Sequence, residues 1–126
     1  MARALLMRSL APFSGYPVSC VLVDQRGNFY PGVNVESNSL GLTSCAERNA
    51  VGYFMAMAPP GACVVAVYIA SARGPDPMPC GGCRHVMYEH FPQALVFVVT
   101  GPKAPEYAGD VSDLMPAPFA GPSAGR

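Results

Sequence analysis

The sequence predicts an α/β fold, a three-layer α/β/α sandwich in which helices enclose a mixed sheet. Three observations predict it. The predicted elements run in the order helix, hairpin, helix, strand, helix, strand. Two apolar runs rich in β-branched residues, 62–71 and 95–100, each follow a helical segment, and right-handed crossovers would set these two strands side by side and parallel. Hydrophobic residues make up 51% of the 126-residue chain, enough for the core of one domain spanning residues 1–126.

Residues 3–10 form a short first helix, and Pro12 and Pro17 bracket a turn with Ser14 and Gly15 at its tip. Residues 18–24 read as a strand, Gln25, Arg26, Gly27 and Asn28 as a hairpin loop, and 29–36 as the second strand, with Pro31 weakening its start. The polar stretch 37–44, containing Gly41, is a loop. A helix over 45–57 is stopped by Pro59, Pro60 and Gly61. The run 62–71 suits a buried strand, and 72–79, with three prolines and a glycine, a loop. A helix over 82–90 ends before Pro92, and 95–100 is a fourth strong strand. Beyond Gly101 the chain is rich in Pro, Gly and Ala, and 114–119 is its only apolar cluster.

Eight Lys and Arg balance eight Asp and Glu, and no basic stripe is visible. A nucleic-acid polymer is therefore not the expected partner. The longest apolar run, 62–70, is far below the roughly 20 residues a membrane span needs. Residues 1–10 have no signal-peptide core, so a cytoplasmic protein is expected. Five cysteines, an odd number without an export signal, argue for metal or catalytic use rather than disulfides. Cys20 and Cys63 fall within apolar strands and read as small core residues.

The other three cysteines stand in two short segments, Cys45-Ala46-Glu47-Arg48 and Pro79-Cys80-Gly81-Gly82-Cys83-Arg84. Each opens a predicted helix. Helix N-termini favour anions and so keep thiols ionised. Three thiolates from Cys45, Cys80 and Cys83 suit one Zn²⁺ with an open fourth position. They exceed its charge by one, and Arg48 and Arg84, adjacent in sequence to ligands, are expected to offset the surplus. Glu47, in the first helical turn, is placed to take a proton from water and pass it to a leaving amine. Plainer readings exist: Ser44-x-x-Glu47 also fits a capping box, and a lone C-x-x-C also fits a redox pair or half of a structural zinc site. The combination Cys-Ala-Glu, then one strand and a loop, then Pro-Cys-x-x-Cys resembles the known signature of zinc deaminases in its three-cysteine form.

The stretch Asn34-Val35-Glu36-Ser37-Asn38-Ser39-Leu40-Gly41-Leu42-Thr43-Ser44-Cys45-Ala46-Glu47-Arg48 resembles the core of the small, homotetrameric cytidine deaminases. Ala11-Pro12-Phe13-Ser14-Gly15-Tyr16-Pro17-Val18 resembles their first loop, the Cys80–Cys83 segment their second zinc segment, and Leu114-Met115-Pro116-Ala117-Pro118-Phe119 their C-terminal motif. The resemblance spans about residues 10–120. It implies a sheet of about five strands, one zinc per subunit on Cys45, Cys80 and Cys83, and Glu47 as proton shuttle. It further implies that Asn34 and Glu36 bind the ribose 3′-hydroxyl, Tyr16 lies against the substrate, and the Ala46 backbone contacts the base. Phe119 would reach into a neighbouring subunit's pocket. Without the resemblance, Asn34 reads as a turn former and Phe119 as a tail residue packed on its own subunit. Leu40, Asn38, Ser19-Cys20 and His85 depart from the family pattern, and His85 would alter hydrogen bonding near a thiolate or be a solvated helix residue. The implied reaction is hydrolytic deamination of cytidine or 2′-deoxycytidine in pyrimidine salvage. Leu40 and Asn38 keep open a modified or antibiotic cytosine nucleoside, as in the related blasticidin S deaminases. A non-catalytic zinc scaffold is disfavoured by the intact Glu47.

Overall fold

The computed structural model describes residues 1–122. A five-stranded mixed sheet carries the fold, with strands β1 (Val18–Asp24), β2 (Phe29–Val33), β3 (Val64–Ser71), β4 (Leu95–Thr100) and β5 (Glu106–Asp110) in the spatial order β2-β1-β3-β4-β5. β3 and β4 pair in parallel, with Ala66 opposite Leu95 and Ser71 opposite Thr100, as a helical crossover requires. The other three pairings are antiparallel. Pro31 sits inside β2, opposite Val21. It is tolerated because β2 is an edge strand, where a missing N–H leaves no partner unsatisfied.

Alternation along the strands sorts the side chains to two faces. Cys20, Leu22, Val67, Ile69 and Val96 point to one face and form the core with Ala46, Ala50, Val51 and Phe54 of helix α2 (Ala46–Met57) and Cys83 and Met87 of helix α3 (Gly81–His90). Val21, Val23, Ala66, Tyr68 and Val99 point to the other face, under the first residues of the chain. The second helical layer is a single turn, α1 (Ala2–Leu5), extended by a 3₁₀ turn at Leu6–Arg8. It is tethered by Ser19 Oγ donating to Ala2 O at 2.5 Å and Arg3 Nε donating to Gly101 O at 2.7 Å.

Three boundaries differ by more than one residue from the sequence expectations. The first helix stops early because Leu10 leaves it to bridge Val35: Leu10 N–H donates to Asn34 O and Glu36 N–H to Leu10 O. The same exchange ends β2 at Val33 rather than residue 36. β3 begins at Val64, so Cys63 is exposed in the preceding turn, not in the core; its N–H donates to Gln25 Oε1 at 2.7 Å. Cys20 is fully buried, as expected. The fifth strand, which no apolar run announces, is paired along only one edge.

β2 and α2 approach unusually closely at Gly32. A methyl group at that position would fall 2.5 Å from Ala50 N and closer still to Ala46 O. Only glycine lets the start of α2 lie on this strand. That start carries the site.

Candidate active site

α2 and α3 lie on the same face of the sheet, and each begins with a cysteine in extended conformation: Cys45 caps α2 and Cys80 caps α3. Cys83 stands one turn into α3, fully buried. The three sulfurs lie within 4.8 Å of one another, with Cys45 Sγ 3.9 Å and Cys83 Sγ 3.4 Å from Cys80 Sγ. Tetrahedral zinc, with Zn–S bonds of about 2.3 Å, requires sulfurs about 3.8 Å apart. The cluster fits that ion and supplies three ligands, leaving a fourth position open.

The thiols differ in acidity. Burial pushes the Cys83 thiol well up, reinforced by the nearby Glu47 carboxylate. Such a thiol ionises readily only beside a cation, which coordination provides. Burial also opposes ionisation of Cys80, yet the Cys83 N–H, 3.4 Å from its sulfur, and the neighbouring thiols bring it below the ordinary thiol range.

Glu47 is 5% exposed. Its carboxyl is raised by burial, against the opposing effects of its own backbone N–H and the Cys83 thiol. The capping-box reading does not hold. The N-cap is Cys45 rather than Ser44, and the Ser44 hydroxyl instead accepts from Asn49 Nδ2 at 3.1 Å. Glu47 is thus a buried carboxylate beside the thiol cluster, a position suited to proton transfer.

A cavity of about 170 Å³ opens onto the cluster, lined among others by Tyr16, Asn34, Ala46, Glu47, Pro77 and Met78. A larger hollow of about 390 Å³ lies on the opposite face beneath α1. It holds no thiol or carboxylate, so the chemistry belongs to the smaller one. Asn34 is held on three sides: its Oδ1 accepts from Val18 N–H at 2.9 Å and from the Ser9 hydroxyl, and its Nδ2 donates to Tyr16 O at 3.1 Å. Glu36 is turned to the 11–16 loop. Its Oε1 accepts from Phe13 N–H at 2.8 Å and Ser14 N–H at 3.1 Å, and its Oε2 from the Ser14 hydroxyl. The Ser14 hydroxyl and N–H lower its pKa, so it is an ionised acceptor.

The two arginines diverge. Arg48 Nη2 donates to Cys45 Sγ at 3.4 Å. Arg84 is committed to carbonyls, Nε to Pro79 O at 2.8 Å and Nη1 to Leu114 O at 3.2 Å, tying the second cysteine segment to the 114–119 stretch. His85 pairs with Glu89 at 3.1 Å on the helix surface. Phe119 is 73% exposed, its ring 6.4 Å from that of His85. Leu40 is 72% exposed in the 3₁₀ turn Leu40–Leu42.

A family model for the cytidine and deoxycytidylate deaminase zinc-binding region matches residues 1–99. The cytidine deaminase of Halalkalibacterium halodurans is 36% identical over 109 residues, 86% of this chain and 80% of that protein. The chain belongs to the cytidine deaminase family. The cytidine deaminase of Sporosarcina psychrophila is 31% identical over 113 residues, covering 89% of this chain and 81% of the relative. Among solved structures, the Burkholderia pseudomallei cytidine deaminase superposes with a TM-score of 0.83 at 31% identity, over 94% of this chain and 93% of that one. The Mycobacterium leprae cytidine deaminase superposes with a TM-score of 0.74 at 36% identity, over 91% of each chain. The matched region is a zinc-binding one, the three-cysteine cluster has the donor set for that ion, and the family is one of zinc-dependent hydrolases. Among the described residues, no helix is long and apolar enough to cross a membrane.

Sequence reasoning gave no place at the site to Asn49 or to the 72–79 loop. Asn49 Nδ2 donates to Val33 O at 2.7 Å as well as to Ser44 Oγ, fastening α2 to the end of β2. An asparagine inside a helix, where its propensity is poor, is the signal that could have found it. Pro77 and Met78 line the cavity with no signal of their own in the sequence.

Proposed function

We propose that this chain hydrolyses the amino group of cytidine and 2′-deoxycytidine, releasing ammonia and the corresponding uracil nucleoside, as a pyrimidine salvage enzyme of the cytoplasm. The observation that carries the reading is the buried Glu47 carboxylate beside three thiols, at one end of a cavity with a polar amide, Asn34, in its wall. Zinc, when bound, makes water acidic enough to supply a nucleophile at neutral pH. Glu47 is the group that would hold a proton from the attacking water and return it to the departing amine; its raised pKa suits it to both tasks. The Ala46 backbone, at the start of α2, orients the base, and Tyr16 lies against the substrate. Arg48 offsets the surplus charge of the thiolates. Arg84 supports the site through the Pro79 and Leu114 carbonyls.

Asn34 and Glu36 select the ribose. Asn34 lines the cavity, and Glu36 two residues on is an ionised acceptor whose Ser14 hydroxyl partner a ribose 3′-hydroxyl can replace, one O–H donor for another. The exposed Phe119 suits a homotetramer in which it completes a neighbouring pocket; light scattering that finds an active monomer would refute that assembly. The test of the activity compares kcat/KM for cytidine, deoxycytidine, free cytosine, 3′-CMP and a cytosine-containing oligonucleotide. Turnover of the two nucleosides alone is expected. Equal activity on cytosine or the oligonucleotide, or full activity of Glu36→Gln on cytidine, would overturn the reading.

A further inference from the structure

Two loops meet beside the pocket. The 11–16 loop contributes Tyr16 to the cavity lining, and the 72–79 loop contributes Pro77 and Met78. The 11–16 loop turns at Gly15, whose φ of +63° is the left-handed conformation that glycine adopts freely. Its carbonyl accepts from Arg73 Nη2 at 3.2 Å. One residue on, the Tyr16 hydroxyl donates to Pro75 O at 2.5 Å. The 72–79 loop is itself rooted in the sheet: Ser71 Oγ donates to Arg73 O at 2.9 Å, and Thr100 Oγ1 to Asp76 Oδ1 at 2.6 Å.

The 11–16 loop thus has two anchors, Glu36 on one flank and the Arg73–Tyr16 contacts on the other. In the activity proposed above, substrate competes for the first. The second contacts only protein carbonyls and stays in place when the ribose binds. We propose that Arg73 and the Tyr16 hydroxyl form a latch that joins the 11–16 loop to the 72–79 loop and fixes the pocket wall of Tyr16, Pro77 and Met78 against which the nucleoside binds. Arg73 is a positioning residue: it acts through Gly15 and reaches substrate only by way of the wall it holds. The latch sets ground-state and transition-state binding alike, so its loss falls on KM.

The proposal rests on the cytidine deaminase reading, and the experiment separates the two. Tyr16→Phe removes the hydroxyl and keeps the ring; Arg73→Ala removes the other strap. In the zinc-loaded enzyme each should raise the KM for cytidine about threefold to tenfold with kcat nearly unchanged, the scale of one lost hydrogen bond. The double variant should fall short of the product of the two effects, because both straps hold the same wall. Hydrogen exchange of the 11–16 and 72–79 amides should quicken in both single variants, whether or not a substrate is known. Wild-type enzyme inactive on every cytosine nucleoside would overturn the activity while leaving the exchange arm to decide the latch. Unchanged exchange overturns the latch, and so does a lowered melting temperature with KM unchanged.

Discussion

Arg48 and Cys45 stand one helical turn apart at the start of α2, and the guanidinium Nη2 donates to the Cys45 sulfur at 3.4 Å. Three thiolates holding one Zn²⁺ would carry a net charge of −1, which Arg48 would bring to zero; without Arg48 the surplus negative charge would make a bound water a weaker acid. Arg48→Gln is expected to lower kcat about tenfold to a hundredfold, the range seen when a partner of a metal ligand is lost, while zinc content by atomic absorption stays near one per chain.

Zinc should hold the site together as well as serve its chemistry. Folding brings the Cys45, Cys80 and Cys83 sulfurs within 4.8 Å of one another, so the ion binds the folded chain in preference to the unfolded one. At free zinc 100 to 1,000 times its Kd, the native state gains about 3–4 kcal/mol. Chelation should lower the melting temperature accordingly. A Cys80→Ser/Cys83→Ser variant should contain almost no zinc and show no response to chelator.

Glu47→Ala should abolish measurable turnover and leave the fold and metal in place. A general acid–base group contributes about 10²–10⁴-fold. Because Cys45 rather than Ser44 caps α2, no capping-box pair is lost; the carboxylate's bond to its own N–H goes, but so does the cost of burying it, and stability should change little. A melting temperature several degrees down with normal activity would contradict this.

Gly32→Ala tests how the sheet positions the site. The added methyl would press on backbone atoms of Ala46 and Ala50, which cannot rotate away as a side chain can. Overpacking of this kind costs about 1–3 kcal/mol. Displacement of the start of α2 should also weaken zinc retention, measurable by competition with a chelating dye. A variant with normal zinc affinity would show that α2 tolerates the shift.

Asp24 reports on the far end of the fold. Burial opposes its ionisation, but the Asn28 amide and N–H, the Tyr30 hydroxyl and the Arg26 N–H outweigh it and hold the carboxyl at about 2, below its ordinary 3.8. A depressed folded-state pKa stabilises the protein above the unfolded value and loses that contribution as pH falls through the folded one. The stability difference between wild type and Asp24→Asn should therefore be constant above about pH 5 and shrink between about pH 4 and pH 2. Denaturant titrations of both proteins across that range would measure it, and a difference independent of pH would refute it.

The sequence by itself determined the central elements and the chemistry of the site. The apolar, β-branched runs of β3 and β4 and the Pro-Gly stops around α2 are local signals, strong because burial on both faces of a strand leaves no polar alternation to confuse them. The two cysteine segments announced a metal through residue type alone. Tertiary structure decided the rest, wherever partners distant in sequence set the outcome. β5 exists because β4 offers it an edge: Glu106–Asp110 has weak strand propensity, and backbone pairing with Leu95, Val96, Phe97 and Val98 organises it. The first helix is short because Leu10 pairs with Val35 instead. Cys45 and Cys80, 35 residues apart, come within 3.9 Å because both helices begin on one face of the sheet. Arg73, invisible as a site residue in the sequence, meets Gly15 across 58 residues. Local sequence encodes which groups are available; long-range packing, whose energy is shared over the whole core, decides which of them touch.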